Sequence, residues 1–249
     1  MKDIPEKITI ATTTLYNPNN PSDMIRTEIA KKLIRSSTGL GYKIVVVDGG
    51  SSDEILEEFE KSGALVKLQT KPGIGNSRRE AIDYATGLKR DLVAWAEPEK
   101  GDYIQELWKT ALPIIEGKAD MVIPDRRPLS GYPVDQKYAE DLGNLFWKDL
   151  TGVDLDMWSG PRTWRRDLSI YFTEYNGEYG DKWDSTFIPV MNAVLDRKRV
   201  IGVKINYIHP PDQAKVEERD INFHRKRIHQ LYDLTNALFE HWNKHHPNS

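Results

Sequence analysis

Along its first half the chain alternates short, strongly apolar runs with longer stretches in which apolar residues recur at helical spacing. Ile8–Thr14 (ITIATTT) reads as a strand, and a helix follows over about Ser22–Ser36 with Ile25, Ile29 and Leu33 on one face. Tyr42–Val47 (YKIVVV) has no polar alternation, as expected of a strand buried on both faces. Ser51–Glu54 has the form of a capping box opening a second helix, Ala64–Gln69 is a third strand, and Ser77–Glu80 is a second capping box whose helix ends at Gly87. Asp91–Ala96 is a fourth strand, about Tyr103–Glu116 a helix, and Asp120–Pro124 a fifth strand. Repeated units of this kind predict an α/β fold: a mostly parallel sheet with right-handed crossovers and helices on both faces.

The second half is less regular. Asp135–Thr151 reads as a helix stopped by Gly152, Trp158–Arg165 as a strand, Ser185–Leu195 as a helix and Val200–Ile208 as an alternating strand. About Lys215–Lys244 forms a long amphipathic C-terminal helix, with Val216, Ile221, Phe223, Ile228, Leu231, Leu234, Leu238 and Trp242 turned toward the protein. No Pro/Gly/Ser-rich linker divides the 249 residues, so a single domain is expected. Its two regions are 1–127, carrying the βα units, and 128–249.

Composition narrows the function classes. With 39% hydrophobic and 29% charged residues the chain reads as globular, and its net charge of -3 gives no reason to expect a nucleic-acid partner. The absence of cysteine removes disulfides, thiolate catalysis and Cys-ligated zinc, and permits a cytoplasmic location. The N-terminus MKDIPEKITI is too polar for a signal peptide, and no run reaches the roughly 18 apolar residues of a membrane span.

Open α/β sheets bind ligands beyond the carboxyl ends of their strands. There the sequence places Thr13, Thr14, Leu15 and Tyr16 after the first strand, Asp48 after the second, and KPGIGNSRR (Lys71–Arg79) after the third. Glu97-Pro98-Glu99 follows the fourth strand, and Asp125, Arg126 and Arg127 the fifth. Each element also has a bland explanation as a turn or solvated surface. Together they favour a polyanionic ligand with a metal. The first βα turn, TLYNPNN, lacks GxGxxG, and neither GxxxxGK[ST] nor HExxH occurs, so dinucleotide, P-loop and zincin sites are not expected.

VVVDGGSSDE (Val45–Glu54) resembles the VVDDGSxD segment of GT-A-fold, nucleotide-sugar-dependent glycosyltransferases of the family 2 type, with features of the glucosyl- and mannosyl-glycerate synthases. GIGNSRREAIDYATG resembles their glycine-rich GxxxARNxGxxxAxG segment, EPE stands where they carry Asp-x-Asp, and DLDMWSGPRTWRRD resembles their acceptor-side segment. The resemblance runs from about Ile8 to His209. It implies transfer of a sugar from a nucleoside-diphosphate sugar to an acceptor hydroxyl with Mg²⁺ or Mn²⁺. Region 1–127 would bind the nucleotide-sugar, through Thr13, Leu15, Asp48, Lys71, Gly75, Arg78 and Glu97. Region 128–249 would bind the acceptor, through Ser159, Gly160, Arg162 and Tyr179. Glu99 and His209 would hold the metal. Asp184 and Asp181 are the candidate reaction-centre carboxylates, Asp184 having a plain alternative as a helix cap and Asp156 competing with both. The acceptor is small and soluble, or lipid-linked, and the sequence leaves a homodimer open.

Two departures stand out: Gly49 replaces the family's second Asp, and Glu-x-Glu replaces Asp-x-Asp. They motivate the competing reading, a catalytically silent nucleotide-sugar-binding protein on the same fold. A sugar-nucleotide-forming nucleotidyltransferase is the third reading, weakened by the absence of a GxGxR loop.

Overall fold

A computed structural model describes residues 3–209, 214, 218 and 220–246. Its sheet has seven strands: β1 (Ile8–Thr14), β2 (Lys43–Asp48), β3 (Leu65–Leu68), β4 (Leu92–Trp95), β5 (Met121–Asp125), β6 (Arg162–Arg165) and β7 (Val200–Lys204). Their order is β3-β2-β1-β4-β6-β5-β7. The pairs β1–β2, β1–β4, β2–β3 and β5–β7 are parallel, whereas β6 runs antiparallel to both β4 and β5. The mostly parallel sheet is as expected, and the reversed β6 is an addition. Strands from both halves of the sequence share this sheet.

The apolar run of β2 is explained by alternation between two cores. Ile44 and Val46 join Ile8, Ile10, Leu33 and Phe59 on one face. Val45 and Val47 join Ala81, Ile82, Val93 and Met121 on the other. Helices α1 (Pro21–Gly39), α2 (Asp53–Lys61) and α4 (Leu107–Ile115) pack with the first core. Helices α3 (Ile74–Gly87), α5 (Val134–Thr151), α6 (Ile170–Thr173), α7 (Asp184–Leu195) and α8 (Ile221–His245) pack with the second.

Several boundaries move for identifiable reasons. In α1 the buried face is Thr27, Ala30, Leu33, Ile34 and Ser37, and Ile25 is exposed. Helix α3 begins at Ile74, so the expected Ser77–Glu80 box falls inside it: Ser77 donates back to the Ile74 carbonyl. Glu80 instead accepts from the Thr70 and Lys71 amides and so ties down the preceding loop. The Ser51–Glu54 box is displaced as well, because Ser52 is the N-cap residue and Ser51 is spent on Asp48. Pro98–Glu106 is a 3₁₀ segment before α4, Met157–Ser159 is a 3₁₀ turn before β6, and β7 ends at Lys204 rather than Ile208.

Helix α5 closes as expected, with Gly152 left-handed at φ 73°. The C-terminal helix is present over Ile221–His245, while Lys215 and Val216 lie outside the described residues. Its buried face holds Leu234 and Leu238, together with Gln230, Ala237 and His241; Ile221 and Ile228 are exposed. Among the described residues no helix is long and apolar enough to cross a membrane.

Candidate active site

The chain runs outward from β1 through β2 to β3 and then returns to place β4 on the other side of β1. Where strand order reverses in this way, the adjoining connections diverge and leave a crevice beyond the strand ends. A cavity of about 650 Å³ opens there. Thr13, Thr14, Leu15 and Tyr16 from the end of β1 line it, as do Trp95, Glu97, Pro98, Glu99 and Lys100 from the end of β4. Gly49, Gln69 and Gly73 also line it, as do Tyr132, Trp158, Gly160, Phe187 and His209. Of the expected site residues, Thr13, Leu15, Arg78, Glu97, Glu99, Gly160 and His209 therefore meet in one cavity.

Glu97 and Glu99 reach it by a different route from an extended segment with residues two apart on one side. Glu97 is extended (φ -83°, ψ 133°), but Pro98 opens the 3₁₀ segment and Glu99 lies in its first turn. Proline at the first helical position is favourable because its φ is preset and its missing N–H has no helical partner to lose.

The two carboxylates have opposite electrostatic fates. Burial raises the pKa of Glu97, yet Lys100 at 2.9 Å, Arg78 and Arg126 outweigh it and hold the carboxyl below its ordinary value. Glu99 is pushed up, by burial first and then by the like charge of Glu97; its own backbone, Arg26 and Lys100 oppose this only in part. Burial and the nearby Glu99 also push the Tyr16 phenol well up.

Gly160 explains how Glu97 is seated. Its φ is +80°, and a Cβ there would lie 2.6 Å from the Glu97 carboxyl carbon. Gly160→Ala is expected to displace Glu97 and to lower turnover on the order of 100-fold, the scale of a 1 Å misplacement in a reacting site. Gly152 is the control: its φ is +73° with open space around a Cβ, so Gly152→Ala carries the backbone strain alone. Comparable activity of the two variants would refute this account.

The remaining expected residues surround the cavity or lie away from it. The Asp48 carboxylate is buried and accepts four protein hydrogen bonds, from the Thr14 and Ser51 hydroxyls and the Gly50 and Ser51 amides. It shapes the Gly49–Ser51 turn. Asp184 is also buried; it accepts from Tyr175 Oη at 2.6 Å and from the Asp181 and Lys182 amides. It is the first residue of α7 and fastens the loop before it.

Asp181 forms a two-pronged pair with Arg79, Nη1–Oδ1 2.6 Å and Nη2–Oδ2 2.7 Å. Gly75 lies inside α3, where a Cβ would meet that Asp181 carboxylate at 2.0 Å, so its glycine allows the loop to approach the helix. Lys71 is exposed on the loop that Glu80 holds. Tyr179 packs edge-on against His241 of α8.

Ser159 is buried; its carbonyl accepts from Lys100 Nζ at 2.8 Å, and its hydroxyl has no hydrogen-bond partner among the described residues. Arg162 is fully buried over the Phe187 ring and donates to the Thr186 and Met157 carbonyls. Burial, with Arg78 adding, lowers its pKa to about 9 against the pull of Glu97. Asp156 is committed to Arg126, through Nε–Oδ2 and Nη2–Oδ1 contacts of 2.8 Å each. Arg126 also binds Glu140 at 2.7 Å and Tyr132 Oη at 2.8 Å.

Sequence reasoning missed the cavity's third wall. Phe223, Lys226, Arg227 and Gln230 of α8 line it, with Arg26 of α1. The signal was present as His224-Arg-Lys-Arg227 at the start of an amphipathic helix. Nothing local says which charges turn inward.

Among the described residues no group of three or more His, Asp or Glu side chains is arranged to hold a metal by itself. The donor set present is the Glu97–Glu99 pair with His209 in the same cavity. Two carboxylates suffice for Mg²⁺ or Mn²⁺ when substrate phosphates complete the shell. The raised Glu99 is an anion that such a cation would relieve.

No protein-family model and no curated protein matches the sequence. Solved structures do match. Glucosyl-3-phosphoglycerate synthase from Mycobacterium tuberculosis, in complex with Mn²⁺, uridine-diphosphate-glucose and phosphoglyceric acid, superposes with a TM-score of 0.61 at 15% identity, over 95% of this chain and 81% of that one. A second crystal with the same ligands gives 0.62 at 15% identity, over 97% and 81%. The Mg²⁺ and uridine-diphosphate complex gives 0.61 at 15% identity, over 95% and 81%. The likeness is one of architecture: this chain has the GT-A fold.

Proposed function

We propose that the protein transfers a sugar from a nucleoside-diphosphate sugar to a hydroxyl of a small acceptor, with a divalent cation at Glu97 and Glu99. The observation that carries this reading is the carboxylate pair lining the cavity at the β1/β4 switch point, one member held below its ordinary pKa and the other pushed above it. The solved GT-A neighbours, bound to uridine-diphosphate-glucose and Mn²⁺, support it by analogy of fold.

Thr13, Leu15 and Gly49, which line the cavity, would take the base and ribose, with Asp48 fixing the turn that carries Gly49. Glu99 is the first candidate cation ligand, and Glu97, seated by Lys100 and Gly160, is its companion. His209 packs at a tilt against Tyr132, ring centroids 4.3 Å apart, which fixes the imidazole in the cavity lining. The bound cation would neutralise charge developing on the departing diphosphate. Arg78, buried over Trp95 and pinned to the Lys182 carbonyl and Ser185 Oγ, adds a fixed positive charge. Trp158, locked edge-on to Phe187 at 4.9 Å, offers an apolar face for a sugar ring. Asp181 and Asp184 support these groups from behind, through Arg79 and the loop before α7.

Glu-x-Glu in place of Asp-x-Asp favours, as a second reading, a silent nucleotide-sugar-binding protein. One experiment separates the two. The full chain is incubated with UDP-, GDP- and ADP-sugars, with Mn²⁺ or with chelator. Release of nucleoside diphosphate that depends on Mn²⁺ supports transfer chemistry. Stabilisation by a donor, about 2.7 kcal/mol at 100 times its Kd, without any release supports silent binding. Neither release nor stabilisation overturns both.

A further inference from the structure

Among the described lining residues of the cavity, positive charges outnumber carboxylates. Arg26, Arg78, Lys100, Lys226 and Arg227 line it, against Glu97, Glu99 and Glu140. Glu140 is committed to Arg126 at 2.7 Å and Glu97 to Lys100 at 2.9 Å. Among the described lining residues, Glu99 and the Lys100-paired Glu97 are the carboxylates left to face Arg26, Arg78, Lys226 and Arg227.

These cations have weak partners. Arg26 reaches Asp23 only at 3.9 Å, with half its side chain exposed. Arg227 donates to the neutral Gln230 at 3.1 Å and lies over Phe223, and its Nε is buried with no hydrogen-bond partner among the described residues. Lys226 has its pKa lowered, by burial and then by Arg227 and Arg26, with Glu99 and Glu97 pulling the other way. Arg26, from near the start of the chain, and Arg227, from α8, thus both bear on the Lys226 ammonium, on which Glu99 and Glu97 also act. Burying like charges together costs free energy unless a counter-charge is bound.

Resting on the donor reading above, we infer that Arg26, Lys226 and Arg227 form an oxyanion clamp that holds the donor's diphosphate against the Glu97–Glu99 pair, making α8 part of the donor site. A guanidinium fork matches phosphate oxygens two at a time, and Arg227, already oriented by Phe223 and Gln230, has donors to spare. Lys226 supplies a compact charge beside it. A diphosphate suits the position because the clamp and the glutamates act on one another electrostatically, so a cation on the glutamates and the clamp would share one group between them. The clamp also divides the charge: part of the leaving group is neutralised by side chains and part by the cation.

The test is calorimetric titration of the full chain with inorganic pyrophosphate, uridine diphosphate and phosphoglyceric acid, each with Mn²⁺ and with chelator. Lys226→Met and Arg227→Met are each expected to weaken pyrophosphate and uridine diphosphate by about 10-fold or more, the scale of one hydrogen bond to a charged group. Both variants should also flatten the salt dependence of binding. Lys226→Arg should retain most of the affinity. Arg26→Met carries the same expectation from α1, so a folding defect of an α8 variant leaves the clamp testable.

Unchanged pyrophosphate and uridine diphosphate affinity in Arg26→Met and in the Lys226→Met/Arg227→Met pair overturns the clamp. Loss confined to phosphoglyceric acid also overturns it, since the cations would then serve an acidic acceptor. If pyrophosphate binding follows the clamp but no sugar donor binds or turns over, the clamp stands and the glycosyl-transfer reading falls. If donors turn over while wild type binds no pyrophosphate or uridine diphosphate, the reading stands and the clamp falls.

Discussion

Glu99→Gln is expected to abolish the metal-dependent part of nucleoside-diphosphate binding and to lower turnover by at least about 100-fold, the loss seen when even an outer partner of a metal ligand is removed. The amide keeps the shape and removes the charge. The pH dependence distinguishes this from a steric effect. Burial and Glu97 hold the Glu99 carboxyl above its ordinary value, so cation binding must compete with a proton there. Apparent Mn²⁺ affinity should therefore rise with pH through that raised pKa and then level.

Removing the like charge by Glu97→Gln should move this limb to lower pH. Stability should move the other way from function. An acid whose folded pKa is raised binds more protons folded than unfolded, so its contribution is present at low pH and lost as pH rises through the folded value. Glu99→Gln removes that loss, and its melting temperature near neutral pH should be no lower than wild type. Calorimetry and thermal melts from acid to neutral pH check both. Metal-dependent affinity that survives in Glu99→Gln would remove Glu99 from the metal site.

Asp156→Ala is expected to have the largest effect on stability. Arg126 is buried, and Asp156 is its principal partner, reinforced by the Arg126 amide at 3.0 Å and Asn144 Nδ2 at 3.2 Å. Burial opposes the Asp156 anion, but Arg126 holds its carboxyl below its ordinary value; against burial, Glu140 and then Asp156 raise Arg126 well above its own. Removing Asp156 leaves Arg126 with Glu140 as its charge partner and strands the buried Arg126 Nε–H, the Arg126 amide and the Asn144 amide, at a combined cost of about 3–5 kcal/mol. For a chain of this size that lowers the melting temperature by roughly 6–20 °C.

The same network reaches the cavity. Arg126 positions Tyr132, and Glu140 accepts from Gln136 Nε2 at 2.7 Å; all three partners line the cavity. Donor or acceptor affinity should therefore fall even at temperatures where the variant is folded. Chemical denaturation that finds a loss below about 1 kcal/mol would show that the network is not a closed unit.

How much of this was legible in the sequence follows from which interactions are local. The two-faced apolar run of β2, the helical periodicities and Gly152 at a helix end are set by neighbours a few residues apart, so strands, helices and the sheet edge that bears the site could be read directly. The Glu-Pro-Glu at the end of β4 could be placed at the site because a strand end is a local feature, although the 3₁₀ turn that presents Glu99 could not. Which charged side chains face the cavity is a different kind of fact.

Asp48, Asp181 and Asp184 have the composition and position of site residues, yet their oxygens are occupied by Ser51, Arg79 and Tyr175, over separations from 3 to 102 residues. Gly75 and Gly160 read along the sequence as donor-side and acceptor-side glycines, and in the fold the carboxylates of Asp181 and Glu97 pack against them where a Cβ would stand. Lys226 and Arg227 enter the cavity because α8 packs back onto α5 and α7, an arrangement set by Leu234, Leu238 and the partners they bury. The sequence by itself determined the α/β class, the strand ends and the acidic pair. Only the tertiary structure decided which carboxylates were already satisfied and which cations were left facing a ligand, because hydrogen bonding and charge pairing between distant segments carry no periodic signal along the chain.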